Sequence, residues 1–195
     1  MAEIHLIVEG SLDQAMAVRL ITEAGHTPGY CHGKKGASYI RKNLKAFNRS
    51  ADAIRYLAMV DFMDTGVPCP GEVVADWLPH RKPNMLFRVV VRELESWLMA
   101  DQTNLASFLH IDRAKIPARP EELADPKRTL VNLARSSRSR KIREALVPEE
   151  DSTAAIGKSY NDELCRFITQ NWDLEEACLN APSLKKCVDR LKSLD

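Results

Sequence analysis

Three strand-like runs in the first ninety or so residues constrain this chain most. They are Ile4 to Val8 (IHLIV), Ala53 to Val60 (AIRYLAMV) and Asn84 to Val91 (NMLFRVVV). Each is short and mostly apolar, as strands buried on both faces are. Between them lie segments with helical spacing. Leu12, Ala15, Met16, Leu20 and Ile21 recur on one helical face, with Ser11 as expected N-cap and Gly25 as stop. Further helices are expected over Ser38–Phe47 and Glu72–Leu78. The stretch Thr27 to Gly36 reads as a loop, with a short strand near Tyr30 at most. Alternating strands and helices predict an α/β fold with a mainly parallel sheet.

Such sheets bind ligands outside the carboxyl ends of their strands. There the sequence places Glu9 after the first run, Asp61 and Asp64 after the second, and Glu93 and Glu95 after the third. Like charges so gathered repel unless a cation neutralises them. Carboxylate oxygens suit Mg²⁺, which could activate water or stabilise a phosphoryl transition state. Glu93 and Glu95 fall on different sides of a helix. Glu93 is the expected site residue, and Glu95 is expected to pair with Arg92. The competing explanation for any single acid here is helix capping.

After about residue 101 no strand is expected. Helices fit Leu105–Leu109, Pro120–Leu123, Pro126–Ala134 (capped by Asp125), Ser139–Leu146, Asn161–Thr169, Leu174–Leu179 and Pro182–Leu194. The division drawn from sequence is 1–101, an α/β core, and 102–195, a helical subdomain packed on it. Trp77, Trp97 and Trp172 are expected in the core.

The Val8-Glu9-Gly10 triplet, with Asp61 and Asp64 closing a later strand, resembles the Toprim domain of topoisomerases, primases and OLD-family nucleases. The segments Val91 to Asp101 (VRELESWLMAD) and Pro120 to Lys127 (PEELADPK) resemble stand-alone bacterial proteins grouped with OLD-like Toprim nucleases. The resemblance implies a Toprim-like sheet flanked by helices. It implies a metal-dependent nuclease of bacterial defence or mobile-element type, with Mg²⁺ or Mn²⁺ held by Glu9, Asp61 and Asp64. Glu9, Asp61 and Glu93 would be catalytic. The chain departs from the family in having Asp61-Phe62-Met63-Asp64, where Asp-x-Asp is usual. Asp64 can join Asp61 only if the backbone turns after Asp61.

Net charge is +1, so nucleic-acid binding would rest on local cations. Lys34 and Lys35 lie in a Gly-rich loop, and Arg138, Arg140 and Lys141 in a Ser/Arg stretch. These five are the candidate contacts to DNA or RNA, and a solvated charged surface is the plain alternative. A second functional reading is a non-catalytic Toprim-like module, binding nucleic acid or a partner such as a separate ATPase or another defence protein. Five scattered cysteines without a CxxC pair argue against a zinc ribbon or disulfide framework. No apolar run suits a membrane span, and the opening residues lack signal-peptide character, so a cytoplasmic protein is expected.

Overall fold

The computed structural model describes residues 1–67 and 69–194. Four strands, β1 (Glu3–Val8), β2 (Thr27–Gly33), β3 (Arg55–Asp61) and β4 (Met85–Val90), form one parallel sheet in the order β2-β1-β3-β4. The expected parallel α/β class is therefore observed. Between the strands run α1 (Ser11–Glu23), α2 (Gly36–Ser50) and α3 (Pro70–Trp77). Right-handed crossovers put successive helices on opposite faces when the chain reverses direction across a sheet. Helices α2 and α3 bury Ile40, Leu44, Val73 and Trp77 against Ile7, Ala58, Val60 and Phe87. In α1, Met16, Leu20 and Ile21 are fully buried.

Strand β2 corrects the reading of 27–36 as mostly loop. Its sequence, TPGYCHG, has neither alternation nor an apolar run, because it is an edge strand paired only with β1. Pro28 is tolerated at an edge, where one side of the backbone needs no partner. The register slips by one residue between the Ile4–Pro28 and Leu6–Cys31 pairs. Gly29 sits within the slip. A Cβ there would come within 2.6 Å of the His5 ring. The helix α1 also starts earlier than expected. Gly10 is its N-cap, and Asp13 Oδ2 accepts the Gly10 N–H at 3.0 Å. Gly25, at φ 83°, takes the left-handed position beyond its end.

The remaining helices are α4 (Leu94–Ala100), α5 (Gln102–Leu109), α6 (Pro126–Arg135), α7 (Arg140–Leu146), α8 (Tyr160–Gln170), α9 (Leu174–Asn180) and α10 (Pro182–Lys192). The expected helix at 120–123 is a single 3-10 turn, Pro120–Glu122. The chain divides into two compact units. One contains Met1–Val91 and Ser183–Asp195, the other Arg92–Pro182. The division thus falls ten residues before the boundary drawn at 101, and the last helix joins the sheet unit. The reasons are specific contacts. His26 Nε2 lies 2.9 Å from the Leu191 carbonyl, and Arg88 donates to the Lys186 carbonyl at 3.1 Å, so α10 is tied to the sheet unit. Trp172 Nε1 donates to the Trp97 carbonyl at 3.1 Å, and Asn180 donates to the Ala100 carbonyl at 2.9 Å, so α4 is tied to the helical unit. All three tryptophans are buried, at 1–3% exposure.

Candidate functional site at the carboxyl edge of the sheet

From β1 the chain steps to β2 on one side and then crosses to β3 on the other. The carboxyl ends of β1 and β3 therefore flank the point where strand order reverses, which is where open α/β sheets form a crevice. Glu9 follows β1 and Asp61 is the last residue of β3. The Asp61 N–H donates to Glu9 Oε1 at 2.8 Å. Ala37, at the start of α2, also hydrogen-bonds the Glu9 carboxyl through its backbone. Glu9 thus holds a strand end and a helix start together, which is a structural task in itself.

After Asp61 the backbone turns at once into a 3-10 turn, Phe62–Asp64, closed by the Thr65 hydroxyl donating to the Phe62 carbonyl at 2.7 Å. This is the turn that the Asp-x-x-Asp spacing needs. Asp61 is buried at 9% exposure, whereas Asp64 is exposed, yet the charge of Asp64 reaches Glu9. Burial, with the added charges of Asp13 and Asp64, pushes the Glu9 carboxyl up to about 7. The N–H groups of Asp61 and Ala37 oppose that rise. Asp13, an acid in the first turn of α1, is thus part of the constellation. Its signal was its place four residues after Glu9, on a helix starting at once from the strand end.

The Gly-rich loop also finds its place here. The Lys34 N–H donates to the Val8 carbonyl at 2.8 Å, and the Gly36 N–H to the Glu9 carbonyl at 3.2 Å. The loop therefore crosses the carboxyl end of β1. Gly33 has φ 101°, and a Cβ there would lie 2.4 Å from the Val8 carbonyl oxygen, so only glycine lets the loop approach this closely. Lys34 and Lys35 are exposed, with Lys35 over the Tyr39 ring.

Glu93 belongs to the helical unit. Its Oε1 accepts from Lys127 Nζ at 2.9 Å and its Oε2 from the Lys127 N–H at 3.0 Å. Both carboxylate oxygens are thereby engaged at the first turn of α6. Glu95 corrects the expectation of an Arg92 partner. It is 1% exposed, accepts from the Tyr160 hydroxyl at 3.0 Å and lies 3.8 Å from Lys127 Nζ. Burial pushes its carboxyl up, and the nearby Lys127 ammonium opposes the rise. The cations of the Ser/Arg stretch divide as well. Arg140 pairs with Glu144 at 2.7 Å and Lys141 lies 3.8 Å from Glu163, while Arg138 has no acidic partner among the described residues.

No group of three or more His, Cys, Asp and Glu side chains among the described residues is arranged to hold a metal ion. The carboxyl edge is therefore not a preformed cage of three side-chain ligands. Its donors are nevertheless all oxygens, and Mg²⁺ usually takes one or two carboxylates and keeps several waters. Glu9 with Asp61 or Asp64 fits that requirement in kind and number. No helix among the described residues is long and apolar enough to cross a membrane. The fold and this edge define a parallel α/β protein with carboxylates at its switch point. Compared with models of protein families, with curated proteins and with solved structures, the chain matches none.

Proposed function

We propose that the protein is a metal-dependent phosphodiesterase acting on nucleic acid, a nuclease of the Toprim kind, with Glu9 at its centre. The observation that carries this reading is the Glu9 carboxyl, raised to about 7 beside Asp13 and Asp64 at the strand-order switch point. The repulsion at a carboxylate so placed is relieved by a proton or by a bound cation. A divalent cation, Mg²⁺ or Mn²⁺, would supply phosphoryl charge neutralisation and a more acidic bound water. Glu9 with Asp61 or Asp64 would hold it. The exposed Lys34 and Lys35 lie on the loop over the same strand end and would take a phosphate of the strand. Glu93 has no part in this reading, because Lys127 already engages it.

The test is cleavage of plasmid, single-stranded DNA and RNA in Mg²⁺ or Mn²⁺ by the full chain and by Glu9→Gln and Asp61→Asn variants. Cleavage that falls in both variants while the fold is kept supports the reading. Cleavage that persists equally in both would sink it. That no three-ligand group occurs among the described residues favours a second reading, a non-catalytic module that binds nucleic acid or a partner protein. No cleavage of any substrate, with no calorimetric Mg²⁺ binding, would select that one.

A further inference from the structure

The helical unit contains a cleft of about 490 Å³ that the phosphodiesterase reading leaves unused. One wall is helix α6. Arg128, Asn132 and Arg135 are spaced i, i+4 and i+7, so they share one helical face, and all three line the cleft. Lys127 stands at its end. The other wall is small and apolar, with Pro148, Ala154 and Ala155.

The charges of this cleft differ from those at several other places in the helical unit, where cations are paired. Arg113 meets Glu176, Arg119 meets Glu122, Arg140 meets Glu144, and Lys158 meets Glu149. Arg128 and Arg135 have no acidic partner among the described residues, although both are exposed on a helix with room beside it. The two acids lining the cleft are already engaged. Asp125 Oδ1 caps α6 by accepting the Arg128 N–H at 2.8 Å, and Glu93 holds Lys127. The cleft thus offers two guanidinium groups, from residues whose backbone positions are about 10 Å apart along the helix axis, and a carboxamide, beside a small apolar wall. Guanidinium forks match phosphate oxygens in shape and charge. The apolar wall suits the non-polar face of a nucleoside.

We propose that this cleft binds the phosphoryl group of a nucleotide unit, either free or within a nucleic-acid strand. The strand form rests on the nuclease reading above, and the free form does not. A second space, lined by Arg135, Arg143, Glu144 and Glu150, adjoins the cleft at Arg135 and Pro148. Its glutamates bound the phosphate site on that side.

The experiment measures binding of a labelled single-stranded oligonucleotide by anisotropy across a salt series, and of adenosine diphosphate by calorimetry. It uses the full chain, an Arg128→Gln/Arg135→Gln variant, an Arg140→Gln/Lys141→Gln variant and Glu9→Gln. Circular dichroism checks that each is folded. The expected result is at least a tenfold loss of oligonucleotide affinity in the first variant. Its log–log salt slope should shrink by about 1.4, the effect of losing two phosphate contacts to a single strand. The Arg140/Lys141 variant should stay within about twofold, because its cations are already paired. Oligonucleotide binding that survives in Glu9→Gln while cleavage stops supports both readings separately. Diphosphate binding alone, lost with Arg128 and Arg135, keeps the cleft as a site for a free nucleotide and overturns its strand form. No binding of either probe, or equal losses in the two paired variants, would overturn the proposal.

Discussion

Glu9 and Glu93 each follow a parallel strand by one to three residues, and each sits where the chain enters a helix. Their surroundings are opposite. Glu9 has carboxylates for neighbours, Asp13 and Asp64, and burial adds to their effect. Glu93 has the Lys127 ammonium and N–H on its two oxygens, and Lys127 also approaches Glu95. The first arrangement stores charge repulsion that a proton or a cation relieves. The second has already relieved it within the protein. The same residue type at the same kind of position therefore has a repulsive setting in one unit and a compensated setting in the other. Position after a strand does not decide chemistry, whereas the sign of the neighbouring charge does.

The largest effect that would break this contrast is on activity. If Glu9 is the reactive one, Glu9→Gln should lower cleavage by a factor of about 10² or more, while Glu93→Gln should act mainly on stability. Rates and thermal midpoints of both variants decide between them. A Glu93→Gln variant as inactive as Glu9→Gln, with an unchanged midpoint, would erase the distinction.

Next comes Lys127→Met. It leaves Glu93 and the buried Glu95 without their cation and should cost about 2–4 kcal/mol, as uncompensated buried charges do. Urea unfolding measures this. A loss below about 0.5 kcal/mol would show that Glu95 is held neutral by burial and that the pairing matters little.

The third effect is on pH dependence. The folded Glu9 carboxyl, at about 7, binds its proton more tightly than in the unfolded chain, where its ordinary value is 4.5. Its contribution is fully present below about pH 4.5 and is lost as pH rises through about 7. After allowance for solvent screening of this partly exposed group, the loss should be about 1–2 kcal/mol. Glu9→Gln should abolish that part of the profile. Added Mg²⁺ should shift it to lower pH if the cation binds there. A wild-type profile that rises over this range in the same way as that of Glu9→Gln would remove the raised carboxyl.

The smallest effect sharpens the roles of the neighbours. Asp13→Asn and Asp64→Asn should each lower the Glu9 value, by less than burial raises it, since burial is the larger cause. Carbon-detected NMR titration of Glu9 reads this directly. The Asp13 variant should also lose some stability, because Asp13 accepts the Gly10 N–H at the start of α1.

Much of the helical half was legible because its ends carry local signals. Asp125 before Pro126 does cap α6, accepting the N–H of Arg128, while Ser139, expected as the first residue of its helix, caps α7 by accepting the N–H of Ile142. Such caps need only three or four residues, so the sequence contains the whole interaction. The strands β1, β3 and β4 were legible because burial on both faces demands continuous apolar runs. Strand β2 was not, since an edge strand is defined by its partner and not by its own pattern. The partners of Glu95 were missed for a similar reason. Tyr160 lies 65 residues away and Lys127 lies 32 away, and no local rule spans such distances.

The sequence alone thus determined the parallel α/β class and the acids at the strand ends. Hydrophobic runs, caps and turn residues act over a few positions and can be read in order. Only the tertiary structure decided which acids share a field and which are paired. It brought Asp13 and Asp64 to bear on Glu9, laid the glycine loop over the end of β1, and gave Glu93 to Lys127. Electrostatic energy depends on distance through space, and the fold sets that distance independently of separation along the chain.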